Sequence, residues 1–402
     1  MKLNYDRSVT FPNGFLANGI SAGIKENGLL DFGLVVSEKP ATAVAVFTKN
    51  RFLAIPVQLC SQHLSKSKNR AKAVVVNSGC ANALTGKSGL KHAEKIVSII
   101  AKQMHVRKEE VLVASTGVIG KQLPVESMID NVPSLVNGLS TKGDPTFSQS
   151  ILTTDKFPKQ VAVEVALSKK KSFRIGATAK GAGMIHPSMA TMLCFVTTDA
   201  RVERKKLQQI LSSAVDRSFN TITVDGDTST NDSVFLMANG ASGCEIKSSS
   251  EQKVFEESLT NVLVELAMMI VRDGEGATRF VKLNIESAAT YEDAIKVGRA
   301  VGTSPLVKTA IFGGDPNWGR VLSAVGNSNA KFDPRKVELK IGDICVFRRN
   351  EPQVIDLAGL SDLFSKKEIE MTIKLNSGHN SARVYTCDLS YDYVKINGEY
   401  TT

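Results

Sequence analysis

Apolar residues recur along the chain with two different periods, and segments of the two kinds alternate from end to end. A period of two is typical of strands, and spacings of three and four are typical of helices that pack by one face. We predict strands at Ala73–Val76, Val111–Ala114, Val161–Ala166, Met192–Thr197, Ser233–Met237, Phe280–Ile285, Val337–Ile341 and Tyr385–Ile396. We predict helices at Leu90–Gln103, Val202–Ser218, Gln252–Val271 and Tyr291–Ala300. This mixture indicates a layered α/β protein.

Short clusters of glycine and polar residues follow several of the strand-like runs. They are Asn77–Gly79, Ser115–Gly117, Lys180–Gly183, Asp225–Asp227, Asp273–Gly276 and Gly313–Pro316. Loops held in place by a rigid sheet are where functional sites are usually built. The sequence therefore predicts one composite site, assembled from distant parts of the chain.

Composition places the chain among globular proteins. Of its 402 residues 42% are hydrophobic and 22% are charged, which excludes global disorder and predicts two to three domains. No apolar run is long enough for a membrane span, and the first residues lack the apolar core of a signal peptide. We therefore expect a cytoplasmic protein with no membrane partner. Six scattered cysteines without a C-x-x-C pair are expected to be reduced and to hold no metal.

The net charge of +10 is compatible with a nucleic acid, a membrane surface or an anionic substrate. The basic clusters are short, aromatic residues make up 6%, and there is a single tryptophan, so the chain lacks an aromatic platform for stacking bases. We interpret the excess charge as solvated surface and expect no nucleic-acid partner.

The most unusual segment runs from Lys180 to Leu193 and places Ala190 directly before Thr191. A threonine hydroxyl is a poor nucleophile unless a base lies beside it. Cleavage of the bond before Thr191 would free an α-amine, whose ordinary pKa of about 7.7–8.0 suits that task. Ala-Thr is a common dipeptide, however, and by itself it fits an ordinary residue that opens a buried strand.

A set of ordered motifs goes beyond that dipeptide. They are Asn77–Ala83, Ser115–Gly120, Thr153–Asp155, Lys180–Ile185, Met189–Leu193, Asp225–Asp232, Val271–Thr278, Gly314–Arg320 and Thr386–Asn397. Together they resemble the ornithine acetyltransferase family, the glutamate N-acetyltransferases of arginine biosynthesis, over most of the chain.

The resemblance implies a fold and a covalent division. The family's fold is an α-β-β-α sandwich, like that of the DmpA proteins with an N-terminal nucleophile, with a smaller additional α/β domain. The family cleaves itself, which implies a cut between Ala190 and Thr191. The products would be an α chain of residues 1–190 and a β chain of residues 191–402, which includes the smaller domain, in an α2β2 assembly.

The resemblance also implies a reaction and a set of site residues. The acetyl group of N2-acetylornithine passes to the Thr191 hydroxyl and then to glutamate, and Thr116 and Gly117 form the oxyanion hole. Residues that match the family's substrate contacts are Thr153, Lys180, Thr191, Glu275, Asn397 and Thr402. No metal or cofactor is implied, although acetyl-CoA is an alternative acetyl donor in bifunctional members.

Two other features are interpreted as structural. Asp225, Asp227 and Asp232 miss the spacing of a calcium loop, so we expect their side chains to accept hydrogen bonds from local backbone groups. His186 lies near Thr191, but the family requires no histidine there, and we assign it a pocket-lining or solvated role.

Two alternatives remain open from the sequence. One is a self-processing amidase or aminopeptidase of the same superfamily, in which water instead of glutamate resolves the acyl-threonine. The other is a basic RNA-binding protein, which would show steeply salt-dependent RNA retention.

Overall fold

The computed structural model describes residues 2–186, 192–354 and 356–399. Its strands are Leu3–Asn4, Phe15–Ile20, Phe32–Phe47, Arg70–Cys80, Val111–Val118, Lys159–Ser168, Lys171–Lys180, Leu193–Thr198, Arg201–Val202, Ser233–Ala238, Glu245–Ile246, Phe280–Ala288, Glu338–Ile341, Ile344–Arg348, Glu351–Pro352, Glu368–Lys374 and Asn380–Cys387. Its α-helices are Ile55–Lys66, Gly86–Gln103, Val125–Asn137, Asp144–Ser150, Arg204–Asp216, Ser249–Arg272, Tyr291–Gly302, Pro305–Gly313, Trp318–Gly326, Leu357–Ser365 and Tyr391–Glu399. Short 3₁₀ turns occupy Lys108–Glu110, Phe219–Thr221 and Pro334–Lys336.

Nine of the described strands form the larger sheet, and the long strand Phe32–Phe47 connects its two parts. The first half of this strand pairs with Phe15–Ile20 and Arg70–Cys80, whereas its second half pairs with Ser233–Ala238. Apart from Phe15–Ile20, the strand order across the sheet is Leu3–Asn4, Lys159–Ser168, Lys171–Lys180, Leu193–Thr198, Ser233–Ala238, Phe32–Phe47, Arg70–Cys80 and Val111–Val118. The pairing with Arg70–Cys80 shifts register between Val36 and Ala41, in the stretch where the other partner changes from Phe15–Ile20 to Ser233–Ala238.

The two faces of the strand Leu193–Thr198 pack against different layers. Cys194 and Val196 belong to a core cluster with the helices Arg204–Asp216 and Ser249–Arg272. Leu193 and Phe195 point the other way, into a second cluster that continues to the helices Ile55–Lys66 and Gly86–Gln103 beyond the other strands. The second cluster also holds residues of Phe15–Ile20, Arg70–Cys80 and Val111–Val118, so these strands form a second sheet layer between Leu193–Thr198 and the second pair of helices. The predicted α-β-β-α sandwich is confirmed.

A smaller α/β unit follows the sandwich. Six described strands form its sheet in the order Glu351–Pro352, Ile344–Arg348, Glu338–Ile341, Glu368–Lys374, Phe280–Ala288 and Asn380–Cys387. A separate hydrophobic cluster fills it and includes residues from Val281 to Val384. In the part of the chain that the structure describes, no helix is long and apolar enough to cross a membrane.

Most predicted elements appear within a few residues of their expected bounds. The helix predicted at Gln252–Val271 extends over Ser249–Arg272, and its first turn is fixed by Ser248 and Glu251, whose side chains accept each other's backbone N–H. The long strand Phe32–Phe47 was not predicted, because Ser37–Pro40 interrupts its apolar pattern with polar residues and a proline.

The predicted tail strand Tyr385–Ile396 is wrong in its second half. The strand ends at Cys387, and Tyr391–Glu399 is a helix. Asp388 turns the chain out of the sheet, because its carboxylate accepts the backbone N–H groups of Thr278 (2.8 Å) and Arg279 (2.9 Å). Local alternation in the sequence does not reveal these long-range bonds.

Candidate active site

A cleft of about 240 Å³ collects most of the residues that the sequence predicted for the site. Six of them line it: Thr116, Gly117, Thr153, Lys180, Glu275 and Asn397. The predicted nucleophile Thr191, the cleavage-site residue Ala190 and the terminal Thr402 lie outside the described residues. The cleft therefore joins groups up to 281 positions apart in the chain, as expected of a composite site.

The sequence suggested that Thr116 and Gly117 lie in a loop after a strand. They lie instead within the last residues of the strand Val111–Val118. Gly117 has φ +125°, and a Cβ there would lie 2.4 Å from the backbone carbon of Gly79 in the neighbouring strand. Only glycine fits this close approach. The side chain of Asn231 secures the strand from the cleft side by donating to the carbonyl of Ser115 (2.8 Å).

Thr153 and Lys180 line the cleft, and a buried network of charged residues continues behind them. We call this set the lysine wall: Thr153, Asp155, Lys159, Lys180 and Asp273. Lys180 Nζ donates to Thr153 Oγ1 (2.7 Å) and lies 3.7 Å from Asp155 Oδ2. Lys159 Nζ lies 2.6 Å from both Asp155 Oδ1 and Asp273 Oδ2. Two ammonium groups thus alternate with two carboxylates, and side-chain exposure along the chain from Lys180 to Asp273 is 2% or less.

Burial and charge act in opposite directions within the lysine wall. Burial lowers the pKa of Lys180, although the negative charge of Asp155 offsets part of the effect. For Asp155, burial alone would raise the pKa, but the charges of Lys180 and Lys159, with hydrogen bonds from Lys159 and Gly181, hold the pKa below its usual range. Burial raises the pKa of Asp273 despite its contact with Lys159.

A second set of lining residues carries carboxylates, and we call it the carboxylate wall: Asp225, Asp227, Glu275, Tyr393 and Asn397. Glu275 is held at its backbone, which donates to the Ala182 carbonyl (2.9 Å), and at Oε2, which accepts from Asn397 Nδ2 (2.8 Å). A Cβ at Gly183 would lie 2.3–2.5 Å from the Glu275 carboxyl atoms. Glycine at position 183 therefore leaves space for this carboxylate.

Asp225 accepts the backbone N–H groups of Met184 (2.5 Å) and Ile185 (2.8 Å). Asp225 does accept backbone N–H groups, but the expectation that these groups are local is wrong for both short bonds, because Met184 and Ile185 lie 41 and 40 positions away. Burial raises the pKa of Asp225 to about 6, although the hydrogen bonds from Met184 and Ile185 act to lower it. Burial and the nearby carboxylates of Asp225 and Glu275 raise the pKa of the Tyr393 hydroxyl.

Asp232 lies next to Met192, the residue after the predicted nucleophile Thr191. Its Oδ1 accepts the backbone N–H of Met192 (2.9 Å). Its side chain is fully buried, and burial raises its pKa well above the usual value. His186 bonds to Thr223 Oγ1 (3.2 Å), and burial lowers its pKa, as does the charge of Arg299. Among the described residues, no group of three or more His, Cys, Asp or Glu side chains could hold a metal ion.

Sequence reasoning missed several residues of the site: Asp155, Lys159, Asn231, Asp273 and Tyr393. Asp155, Asn231, Asp273 and Tyr393 lie inside quoted motifs, so the motifs themselves were the signal for them. Lys159 follows Asp155 by four positions, but its burial depends on Asp273, which is 114 positions away.

Comparison with known proteins agrees with this geometry. Residues 16–402 match the ArgJ family model. The chain is 45% identical to the arginine biosynthesis bifunctional protein ArgJ of Dehalococcoides mccartyi, over 99% of this chain and 98% of the relative. It is 42% identical to the glutamate N-acetyltransferase of Methanocaldococcus jannaschii, with 99% of each chain covered.

A solved structure supports the same assignment. The crystal structure of the arginine biosynthesis bifunctional protein ArgJ from Bacillus halodurans matches with a TM-score of 0.50 and 37% identity. The match covers 51% of this chain and 98% of the solved one. The fold is that of a layered α/β protein, and its cleft is lined by both positively and negatively charged side chains. The chain belongs to the ArgJ family.

Proposed function

We propose that this chain is a glutamate N-acetyltransferase that takes its acetyl group from N2-acetylornithine. The observation that carries the proposal is that one cleft is lined by the ammonium of Lys180, by the carboxylate of Glu275, and by Thr116 and Gly117. Acetylornithine has a carboxylate at one end and an ammonium at the other, and opposite fixed charges recognise such a molecule. The names of the relatives support the same reaction.

The roles of the residues follow from their chemistry. Lys180 and Thr153 offer donors to a substrate carboxylate, and Glu275, held by Asn397, offers an acceptor to a substrate amine. Thr191 Oγ attacks the acetyl carbonyl, and the C–N bond breaks as ornithine leaves with a proton on its nitrogen. Glutamate's amine then attacks the acetyl ester and restores the hydroxyl. Thr116 Oγ and the Gly117 N–H stabilise the oxyanion in each half.

Self-cleavage between Ala190 and Thr191 completes the proposal. The free amine of Thr191 is then the base that activates its own hydroxyl. The resulting chains hold residues 1–190 and 191–402, and Thr402 contributes to substrate binding from the end of the second. The solved Bacillus halodurans polypeptide supports this division, because 51% of the present chain covers 98% of it. The active form would be an α2β2 assembly in the cytoplasm that needs no cofactor.

Intact-mass measurement tests the mechanism. We expect two fragments from the wild type and from Thr191→Ser, which retains a hydroxyl, and one full-length polypeptide from Thr191→Ala. The processed wild type should convert acetylornithine and glutamate into ornithine and acetylglutamate. Intact wild-type protein with full activity would contradict the mechanism, because Thr191 would have no free amine. Release of acetate without acetylglutamate would identify a hydrolase.

Acetyl-CoA is the second donor to examine, since relatives carry the name "bifunctional". Rates measured with acetyl-CoA and acetylornithine in competition for the same acetyl-enzyme show whether this chain uses both.

A further inference from the structure

Lys159 is a fully buried lysine to which the proposed reaction assigns no role. It opens the strand Lys159–Ser168, and its side chain has 0% exposure. Removing an ammonium group from water costs several kcal/mol unless carboxylates pair with it closely. Lys159 has two such carboxylates, Asp155 and Asp273, each 2.6 Å away.

Each of these carboxylates lies in a segment that also contains a residue proposed to bind the substrate. Asp155 follows Thr153 by two positions and accepts its backbone N–H (3.1 Å). Asp273 precedes Glu275 by two positions. A bond from the Lys156 backbone N–H to Asp273 Oδ2 (3.0 Å) ties the same two segments together beside the ammonium.

We infer that Lys159 is a positioning residue for the acetyl-transfer site, because its ammonium fixes the segment that carries Thr153 against the segment that carries Glu275. The inference rests on the proposed function. It assigns Lys159 a role across the two predicted products, since Thr153, Asp155 and Lys159 precede the Ala190–Thr191 bond, whereas Asp273 and Glu275 follow it.

Paired substitutions separate positioning from stability. Lys159→Met leaves Asp273 buried beside an apolar side chain, so the urea midpoint of unfolding should fall. The double variant Lys159→Met/Asp273→Asn removes one charge of each sign and should recover most of that midpoint. If Lys159 positions the site, KM for acetylornithine stays about tenfold above wild type in the double variant, while kcat changes less than threefold.

A pH profile gives a second readout. Lys159 and Lys180 carry like charges, and the charge of Lys159 contributes to lowering the pKa of Lys180. Loss of Lys159 should therefore raise the pKa of Lys180 and move the alkaline limb of kcat/KM to higher pH in the double variant. Lys95→Met is the control, because Lys95 forms an exposed ion pair with Glu126 on another face and should leave both readouts at wild-type values.

Recovery of both the urea midpoint and KM in the double variant would overturn the inference, since Lys159 would then serve stability alone. Failure of the proposed function looks different, because the wild type itself would form no acetylglutamate. In that event hydrogen exchange decides the positioning role. Faster exchange at residues 153–157 and 273–277 in the folded double variant supports it, and wild-type exchange there overturns it.

Discussion

The two walls of the cleft hold their charges in different ways. In the lysine wall, Lys159 and Lys180 alternate with Asp155 and Asp273, so each buried charge has an opposite charge nearby. In the carboxylate wall, Asp225 accepts backbone N–H groups and Glu275 accepts an amide from Asn397. Over the described ranges, neither of these carboxylates has a lysine or arginine nitrogen within ion-pair distance.

This difference separates two ways of recognising a substrate, by donors that are fixed in advance and by a carboxylate that has no partner of opposite charge among the described residues. Internal pairing makes the lysine wall rigid, and its charges stay in place when the cleft is empty. In the carboxylate wall both Asp225 oxygens accept backbone N–H groups, whereas Glu275 accepts the neutral amide of Asn397, so its charge can still attract a cation supplied from outside. An incoming ammonium would give Glu275 a partner of opposite charge, whereas the charges of the lysine wall already have such partners within the protein.

Asp155→Asn should have the largest effect, because it removes the carboxylate that lies between two buried ammonium groups. Breaking a buried pair by deleting one partner costs about 3–5 kcal/mol, and we expect that loss in the free energy of unfolding measured by urea denaturation. Asp333→Asn is the control, since Asp333 pairs with the exposed Arg335 (2.9 Å) and should cost under about 1 kcal/mol. Equal losses in both variants would show that the lysine wall is no stronger than a surface pair.

Asp225 of the carboxylate wall should contribute to the pH dependence of stability. The folded-state pKa of Asp225 is raised to about 6 from an ordinary value near 3.8, so between these pH values the folded state binds more protons than the unfolded state. Stability from this group is therefore greatest below pH 4, falls by roughly 2–3 kcal/mol as the pH rises through 6, and is constant above that.

Urea denaturation of the wild type and Asp225→Asn between pH 4 and 7.5 isolates this slope by difference. Asp227→Asn, two residues along and exposed, is the control and should keep the wild-type slope. Parallel curves for the wild type and Asp225→Asn would show that Asp225 does not titrate in this range.

Glu275→Gln removes charge from the carboxylate wall but keeps an oxygen for Asn397. A hydrogen bond to a charged group contributes about 1.5–3 kcal/mol, so KM for acetylornithine should rise roughly 10- to 100-fold with little loss of stability. Steady-state kinetics measure this change. Glu257→Gln, on the exposed side of the helix Ser249–Arg272, should leave KM at its wild-type value. An unchanged KM in Glu275→Gln would remove this residue from amine recognition.

Gly183→Ala should have the smallest effect. The new Cβ collides with the end of a flexible side chain, the Glu275 carboxyl group, and not with backbone, so the fold should tolerate it. The displaced carboxylate loses its bond from Asn397, and we expect KM for acetylornithine to rise by about tenfold, the equivalent of one charged hydrogen bond. Gly326→Ala, where a Cβ meets nothing within 4 Å, should leave KM unchanged. Wild-type kinetics in Gly183→Ala would mean that the position of Glu275 is not critical.

The sequence predicts well the helices and strands whose apolar residues recur with a regular period. Periodicity located the helix Ser249–Arg272, and the motifs led to Thr116, Gly117, Lys180 and Glu275, which do share one cleft. The helix Tyr391–Glu399 was not predicted, because Asp388 ends the preceding strand through bonds to residues more than 100 positions away.

Lys159 shows where such prediction stops. A lysine at the start of a strand is ordinarily solvated, and its burial here depends on Asp273, which only the folded chain brings near. Patterns along the chain report local periodicity and motif order. They do not show which charged residues from distant parts of the chain form ion pairs. Those ion pairs determine how the charges in the walls of the cleft are compensated.

The place of strand Leu193–Thr198 within the sheet has a consequence for the proposed cleavage. It lies between Lys171–Lys180, which precedes the cut, and Ser233–Ala238, which follows it, and Ser233–Ala238 in turn pairs with Phe32–Phe47 from the first product. The second product thus supplies two neighbouring strands that lie between strands of the first product. The two polypeptides would share one unfolding transition, and dilution would not separate them as it separates docked subunits. Cleavage would change the covalent connectivity of the protein and leave its cooperative unit intact.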